Sequence, residues 1–259
     1  MEDTITKKTK NPEVVVEINN LVKGFGNDHV LENLSLKLFR GENLAVLGKS
    51  GSGKSVLIKC IVRLLTPDAG SIIVLGEDVN LLNNEDLAAL RVKIGFLFQS
   101  GALYDSMTIK QNLEFPLRRI KKDLSKEERE EKIVEVLENV GLPDIMNKMP
   151  SELSGGMRKR VSLARTIIVD PLIMLYDEPT TGLDPVTSDE ISELINKVQE
   201  KYKTSSIIIT HDIECARATA DRVIMVQDGK VYSEGTVEEF NTSDDAYVRS
   251  FFKQQLLRL

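Results

Sequence analysis

Asn43-Leu44-Ala45-Val46-Leu47-Gly48-Lys49-Ser50-Gly51-Ser52-Gly53-Lys54-Ser55 decides the fold of this 259-residue chain. Residues 43–47 are mostly aliphatic and read as a strand. A Gly/Ser turn follows, and then residues 54–65 carry Leu57, Ile58, Ile61, Leu64 and Leu65 at helical spacing. A strand, then G-x-x-x-x-G-K-[ST], then a helix is a phosphate-binding loop. Its glycines let backbone N–H groups turn inward around phosphate oxygens. The helix N-terminus adds favourable dipole charge. Gly48, Ser50, Gly51, Ser52 and Gly53 form the cradle. Lys54 is spaced to reach β- and γ-phosphates, and Ser55 to place its hydroxyl on Mg2+. The ligand class is therefore a nucleoside triphosphate.

Outward from this loop, short apolar runs alternate with longer helical stretches. Strands are expected at 14–18, 34–38, 72–75, 94–98, 173–176, 206–209 and 223–226. Short apolar strands between helices predict a mostly parallel, covered sheet, hence an α/β fold. Residues 108–169 contain no convincing strand and read as an inserted helical subdomain, placed at about 105–169 within a main domain of 13–240. Inside it, 121–131 is a dense charge run, read as a solvated helix face. Ser125-Lys126-Glu127-Glu128 gives it a capping-box start. Residues 1–12 read as a flexible polar tail with Lys7, Lys8 and Lys10 and no apolar secretory segment. Residues 241–259 read as a short helical tail, with Val248, Phe251, Phe252, Leu256 and Leu257 on one face.

The formal net charge is −6, with 41% hydrophobic and 29% charged residues. That composition suits a globular domain, and the negative balance argues against a nucleic-acid partner. Apolar runs are only a few residues long, whereas a membrane span needs roughly 20. Cys60 and Cys215 have no metal-site or disulfide-framework spacing and read as reduced, buried thiols.

A second motif narrows the chemistry. Ile173-Met174-Leu175-Tyr176-Asp177-Glu178 is an apolar strand ending in two carboxylates. The carboxyl edge of a parallel sheet is where α/β ligands sit. Asp177 is placed to hold Mg2+, and Glu178 to polarise an attacking water as general base.

Leu153-Ser154-Gly155-Gly156-Met157 lies between these two motifs and resembles the signature loop of ATP-binding-cassette (ABC) ATPases. The resemblance covers nearly the whole chain. It implies a RecA-like core, an N-terminal antiparallel β subdomain and the inserted helical subdomain. It also implies a head-to-tail dimer of two copies, each ATP held between the P-loop of one and the signature of the other. Ser154, Gly155 and Gly156 at a helix N-terminus are a ready anion site for the γ-phosphate across that dimer. Phe25 resembles the aromatic that stacks on adenine, with a core position as its alternative. Gln99, after the strand at 94–98, resembles the Q-loop glutamine, a contact for Mg2+ and water that also senses the membrane partner. Gly182-Leu183-Asp184 resembles the D-loop, which crosses the dimer interface. His211 resembles the switch histidine on the γ-phosphate. His29 has no such setting and reads as a loop residue.

Residues 98–108 and Asn112-Leu113-Glu114-Phe115-Pro116-Leu117-Arg118 resemble the Q-loop region of ATPases in MCE-type (Mla-like) phospholipid transport systems, and Met157-Arg158-Lys159 agrees. This implies an ATPase at the cytoplasmic face of the inner membrane. There it would bind transmembrane permease subunits, work with an MCE-domain protein and power phospholipid transport between inner and outer membrane. The alternatives are a cassette importing a small polar solute, or a non-transport ABC protein. Translation factors of this class usually carry two cassettes, and chromosome or repair proteins carry long coiled coils. This chain has one P-loop, one signature and an insert without sustained heptads.

Overall fold

In the computed structural model, which describes residues 12–253, β3 (Asn43–Leu47) is buried at every position. A strand covered on both faces has no polar side to alternate, which accounts for its apolar run. It pairs in parallel with β8 (Ser205–Thr210) and β9 (Arg222–Gln227). β7 (Ile173–Asp177) and β6 (Ile94–Leu97) extend the sheet in parallel beyond β8. β10 (Lys230–Gly235) closes the other edge antiparallel to β9, so the order is β10-β9-β3-β8-β7-β6. This sheet is the parallel core expected from the sequence.

A second, antiparallel sheet joins β1 (Val14–Phe25), β2 (Asp28–Phe39), β4 (Ala69–Val74) and β5 (Glu77–Asp78) in the order β2-β1-β4-β5. Its Val16, Ile18, Leu21, Leu34, Leu36 and Leu38 share one hydrophobic cluster with Leu44, Val46, Leu57 and Ile58. The two sheets therefore clamp α1 (Lys54–Ile61), the helix that carries the P-loop lysine.

Several elements differ from the sequence reading, β2 for one starting at Asp28 rather than at 34. β1 runs well past 18, because a register shift between Ile18 and Leu21 absorbs the polar Asn19-Asn20 pair, with Asn20 left-handed at φ 49°. α1 stops at Ile61 rather than at 65. Arg63 turns left-handed at φ 48°, and its guanidinium donates to the carbonyls of Val79 (2.9 Å) and Leu82 (2.7 Å). That tertiary anchor overrides the helical spacing of Leu64 and Leu65. β10 was not expected at all, since it is an edge strand of alternating exposed and half-buried residues with no apolar run.

α2 (Asn84–Val92) precedes β6, and the inserted segment that follows β6 is helical: α3 (Ile109–Ile120), α4 (Lys126–Asn139) and α5 (Gly155–Ile167). Thr108 with Gln111 and Ser125 with Glu128 form capping boxes at the starts of α3 and α4. The second of these confirms the sequence reading, although the helix begins at Lys126 and the charges from 121 to 123 precede it. Ile109, Leu113, Ile133, Leu137, Val161 and Ile167 pack in one cluster with Met174 and Tyr176 of β7. Buried Asn112 bonds the backbone of Tyr104, Met107 and Thr108, which pins the segment leading from Gln99 into α3.

α6 (Pro185–Tyr202) joins β7 to β8, α7 (Ile213–Thr219) joins β8 to β9, and the C-terminal tail packs onto the body. α8 (Val237–Thr242) straddles the boundary expected after residue 240, and Phe240 with Val248 and Phe252 of α9 (Ala246–Lys253) packs on Ala45, Leu47, Val223 and Met225. Leu256 and Leu257, expected on the same face, lie outside the described residues, as does the tail at 1–11. Cys60 and Cys215 are free and buried. Among the described residues no helix is long and apolar enough to cross a membrane.

Candidate active site

β3 delivers the P-loop to the carboxyl edge of the sheet. Gly51 (φ 82°) and Gly53 (φ 93°) take backbone angles that suit only glycine, and a Cβ at Gly53 would lie 2.7 Å from the Val30 carbonyl oxygen. The loop curls around the Lys54 ammonium, which donates to the carbonyls of Gly48 (2.8 Å) and Lys49 (3.1 Å). Lys54 Nζ also lies 3.9 Å from Glu178 Oε1. Burial pushes the lysine pKa down, while Glu178 and Asp177 oppose that push and favour its charged form. Ser52 Oγ is buried without a hydrogen-bond partner, so the cradle holds an unspent polar atom.

Asp177 ends β7 and is buried beside α1. Ser55 donates its hydroxyl to Asp177 Oδ1 at 2.7 Å. The hydroxyl, the carboxylate and the side-chain amide of Gln99 are hard oxygen donors of the kind that Mg2+ takes. Among the described residues no group of three or more His, Cys, Asp or Glu could hold a metal.

Glu178 follows Asp177 with φ 51°, a left-handed angle that a non-glycine residue keeps only when its surroundings enforce it. Its backbone N–H donates to the Ile209 carbonyl of β8 (2.9 Å). Its Oε2 accepts from Thr181 Oγ1 (3.0 Å) and lies 2.7 Å from His211 Nδ1. The carboxylate is thus aimed from two sides. Lys54, Ser55, Gln99, Glu178 and His211 line one cavity of about 810 Å³, together with Lys49, Ser50, Gly51 and Gly53.

The other expected residues sit elsewhere. Ser154 caps α5, accepting from Met157 N–H (3.3 Å); Ser154 and Gly155 are exposed, and none of the signature residues lines the cavity. Asp184 caps α6 (Pro185–Tyr202), accepting from Thr187 N–H (3.0 Å) and Oγ1 (2.6 Å). Those bonds hold its carboxyl below the ordinary range. The signature and this cap pack together, since a Cβ on Gly156 would lie 2.5 Å from Thr187 Cγ2. Phe25, at the β1–β2 turn, is 47% exposed under Lys23 Nζ, 5.3 Å from its ring, and lies outside the cavity wall. Its exposure removes the core alternative.

Ser250, Phe251 and Lys159 are not among the expected site residues. Ser250 and Phe251 of α9 form part of the cavity wall, and Lys49 Nζ lies 5.5 Å from the Tyr247 ring. Nothing local in the sequence marks the tail as returning to the P-loop. Lys159 of α5 is buried, and here a signal existed: it falls at i, i+4, i+8 with buried Leu163 and Ile167.

A P-loop cradle, a strand-end Asp-Glu pair and a histidine seated on that glutamate define a P-loop ATPase. The pattern that defines the ABC transporter family matches residues 31–181. The chain is 41% identical to a probable ribonucleotide transport ATP-binding protein of Mycobacterium tuberculosis, over 92% of this chain and 66% of that longer protein. It is 38% identical to an intermembrane phospholipid transport system ATP-binding protein of Haemophilus influenzae, over 92% of this chain and 90% of that one. Among solved structures it resembles a dimeric ATP-binding cassette in a post-hydrolysis state bound to ADP and Pi. There the TM-score is 0.79 at 34% identity, covering 86% of this chain and 98% of that one. The chain belongs to the ABC transporter family and is its ATP-binding, ATP-hydrolysing subunit.

Proposed function

We propose that this ATPase powers phospholipid transport between inner and outer membrane. In this reading it works as a head-to-tail pair on the cytoplasmic face of the inner membrane, bound to separate permease chains and assisted by an MCE-domain protein. The observation that carries the hydrolytic part is the Glu178–His211 contact of 2.7 Å in the cavity that also holds Lys54. The phospholipid cargo is supported by the likeness to the Haemophilus protein over nearly the full length of both chains.

The residues divide the work as follows. Lys54 and the P-loop N–H groups receive the β- and γ-phosphates. Glu178 accepts a proton from a water that attacks the γ-phosphorus. The bond to the β–γ bridging oxygen breaks, giving ADP and phosphate. His211 holds the carboxylate in place and stands at the rim for the γ-phosphate. Ser55, Asp177 and Gln99 would hold Mg2+, which supplies charge neutralisation on the phosphates. Ser154 and Gly155 are exposed, Gly156 is half-buried, and none of the three lines its own cavity, as a contribution to a second copy's ATP requires; Asp184 shapes the adjoining surface. Phe25, exposed at the β1–β2 turn, is the adenine contact in this reading. Catalysis here is positioning and charge stabilisation.

Copurification from detergent-solubilised membranes tests the cargo. An MCE-domain protein with bound phospholipid supports it. A periplasmic solute-binding protein carrying a polar solute overturns it in favour of import of a small polar solute. ATPase activity should rise more steeply than linearly with protein concentration, and strict proportionality contradicts the shared site.

A further inference from the structure

We propose that Lys159 is a positioning residue for ATP hydrolysis: its buried ammonium ties the backbones of Gln99 and Glu178 to the signature helix. Lys159 Nζ donates to the Gln99 carbonyl at 2.6 Å and to the Glu178 carbonyl at 3.4 Å. Gln99 follows β6 and Glu178 follows β7. These strands are parallel neighbours with Leu97 opposite Tyr176, so the two residues emerge side by side at the sheet edge. One ammonium spans both.

The cation is costly in this place. Lys159 is 7% exposed and shares its helix face with Leu163 and Ile167. Burial lowers its pKa, while Asp177 and Glu178 favour its charged form. An apolar side chain would fill the same space without the desolvation penalty, so packing alone gives no reason for a lysine. What the ammonium does and an apolar side chain does not is bind two carbonyls. One belongs to Glu178, whose left-handed backbone needs an external hold. The other belongs to Gln99.

The consequence is a mechanical link. α5 is capped by the signature Ser154 and belongs to the helical subdomain, and Lys159 is its rigid connection to the residue whose carboxylate takes the proton. A shift of α5 against the sheet reaches Glu178 and Gln99 through one side chain. The proposal rests on the ATPase activity and is independent of the cargo.

The test is steady-state ATPase kinetics of the full-length chain carrying Lys159→Met, Lys159→Gln or Lys159→Arg, with Mg-ATP as substrate. A fluorescent ATP analogue reads nucleotide affinity, and thermal unfolding reads stability. Removing every donor in Lys159→Met should lower kcat by about tenfold or more, in the range reported for lost positioning contacts, with KM and analogue affinity within about twofold. Lys159→Arg should recover most of kcat, and Lys159→Gln, with one amide donor group, should lie between. If Lys159→Met does not fold, the ordering of Arg above Gln decides. Unchanged kcat, or kcat and affinity falling together with the folded fraction, overturns the proposal. Glu178→Gln is the control: turnover persisting there removes the hydrolytic assignment instead, so the two failures are distinguishable.

Discussion

His211 Nδ1 lies 2.7 Å from Glu178 Oε2, and the same oxygen accepts from Thr181 Oγ1 at 3.0 Å. A carboxylate held at one oxygen by two neighbours keeps a fixed direction, and its other oxygen, Oε1, is the one that faces Lys54. Glu178→Gln keeps the shape and removes the proton acceptor. Turnover should fall by about 10²- to 10⁴-fold, the usual share of a general base, while ATP binding persists. Single-turnover hydrolysis beside equilibrium binding measures both. Wild-type-like turnover removes Glu178 from the base role. His211→Ala should cost less, since Thr181 still holds the carboxylate.

The hydrogen bond from Ser55 to Asp177 at 2.7 Å joins the first turn of α1 to the end of β7. Loss of the hydroxyl removes a metal-side oxygen and leaves the carboxylate without that donor. Ser55→Ala should raise the Mg2+ concentration for half-maximal ATPase by about tenfold, the scale of a hydrogen bond to a charged group. A Mg2+ titration at saturating ATP checks this. Asp177→Asn should act in the same direction and more strongly, and an unshifted titration in both variants would place the ion elsewhere.

These residues were readable in advance because each sits at a strand end fixed by an apolar run. Gly48 to Ser55 follow β3, Asp177 ends β7 with Glu178 next to it, and His211 follows β8. A parallel sheet brings such ends to one edge without further information. Contacts made through tertiary folding were not readable in this way. Arg63 stops α1 by reaching Val79 and Leu82, and Phe251 returns from α9 to the cavity wall. Neither leaves a local pattern. Lys159 stands between these cases, since its helical register predicts burial but not the carbonyls it meets.

Burial raises the Cys60 thiol to about 11 and the Cys215 thiol to about 12. Both thiols therefore stay protonated near neutral pH and resist alkylation, because the thiolate is the reactive form. A thiol-reactive chromophore at pH 7.5 should titrate neither cysteine in the native protein and both in denaturant. The sign for stability follows from the raised values. The unfolded thiols ionise near 9.0, so native stability is complete below that pH and declines as pH climbs towards 11 to 12. Replacement of both cysteines by Ala should remove that part of the alkaline decline in melting temperature, at the expense of two small cavities.

Adjacent aromatic residues of α9 should fail in opposite ways. Phe252 is 5% exposed and packs with Phe240, Leu47 and Met225, whereas Phe251 is half-buried and contributes to the wall of the nucleotide cavity. Phe252→Ala empties a core position. It should cost about 3–5 kcal/mol of stability with KM for ATP little changed in the fraction that remains folded. Phe251→Ala removes a wall. It should raise KM for ATP about fivefold, the equivalent of an aromatic contact of about 1 kcal/mol, with a small change in melting temperature. Thermal unfolding and steady-state kinetics on the two variants separate these outcomes. If Phe251→Ala lowers the melting temperature as much as Phe252→Ala and leaves KM alone, α9 is a structural cover for the sheet and takes no part in holding the nucleotide.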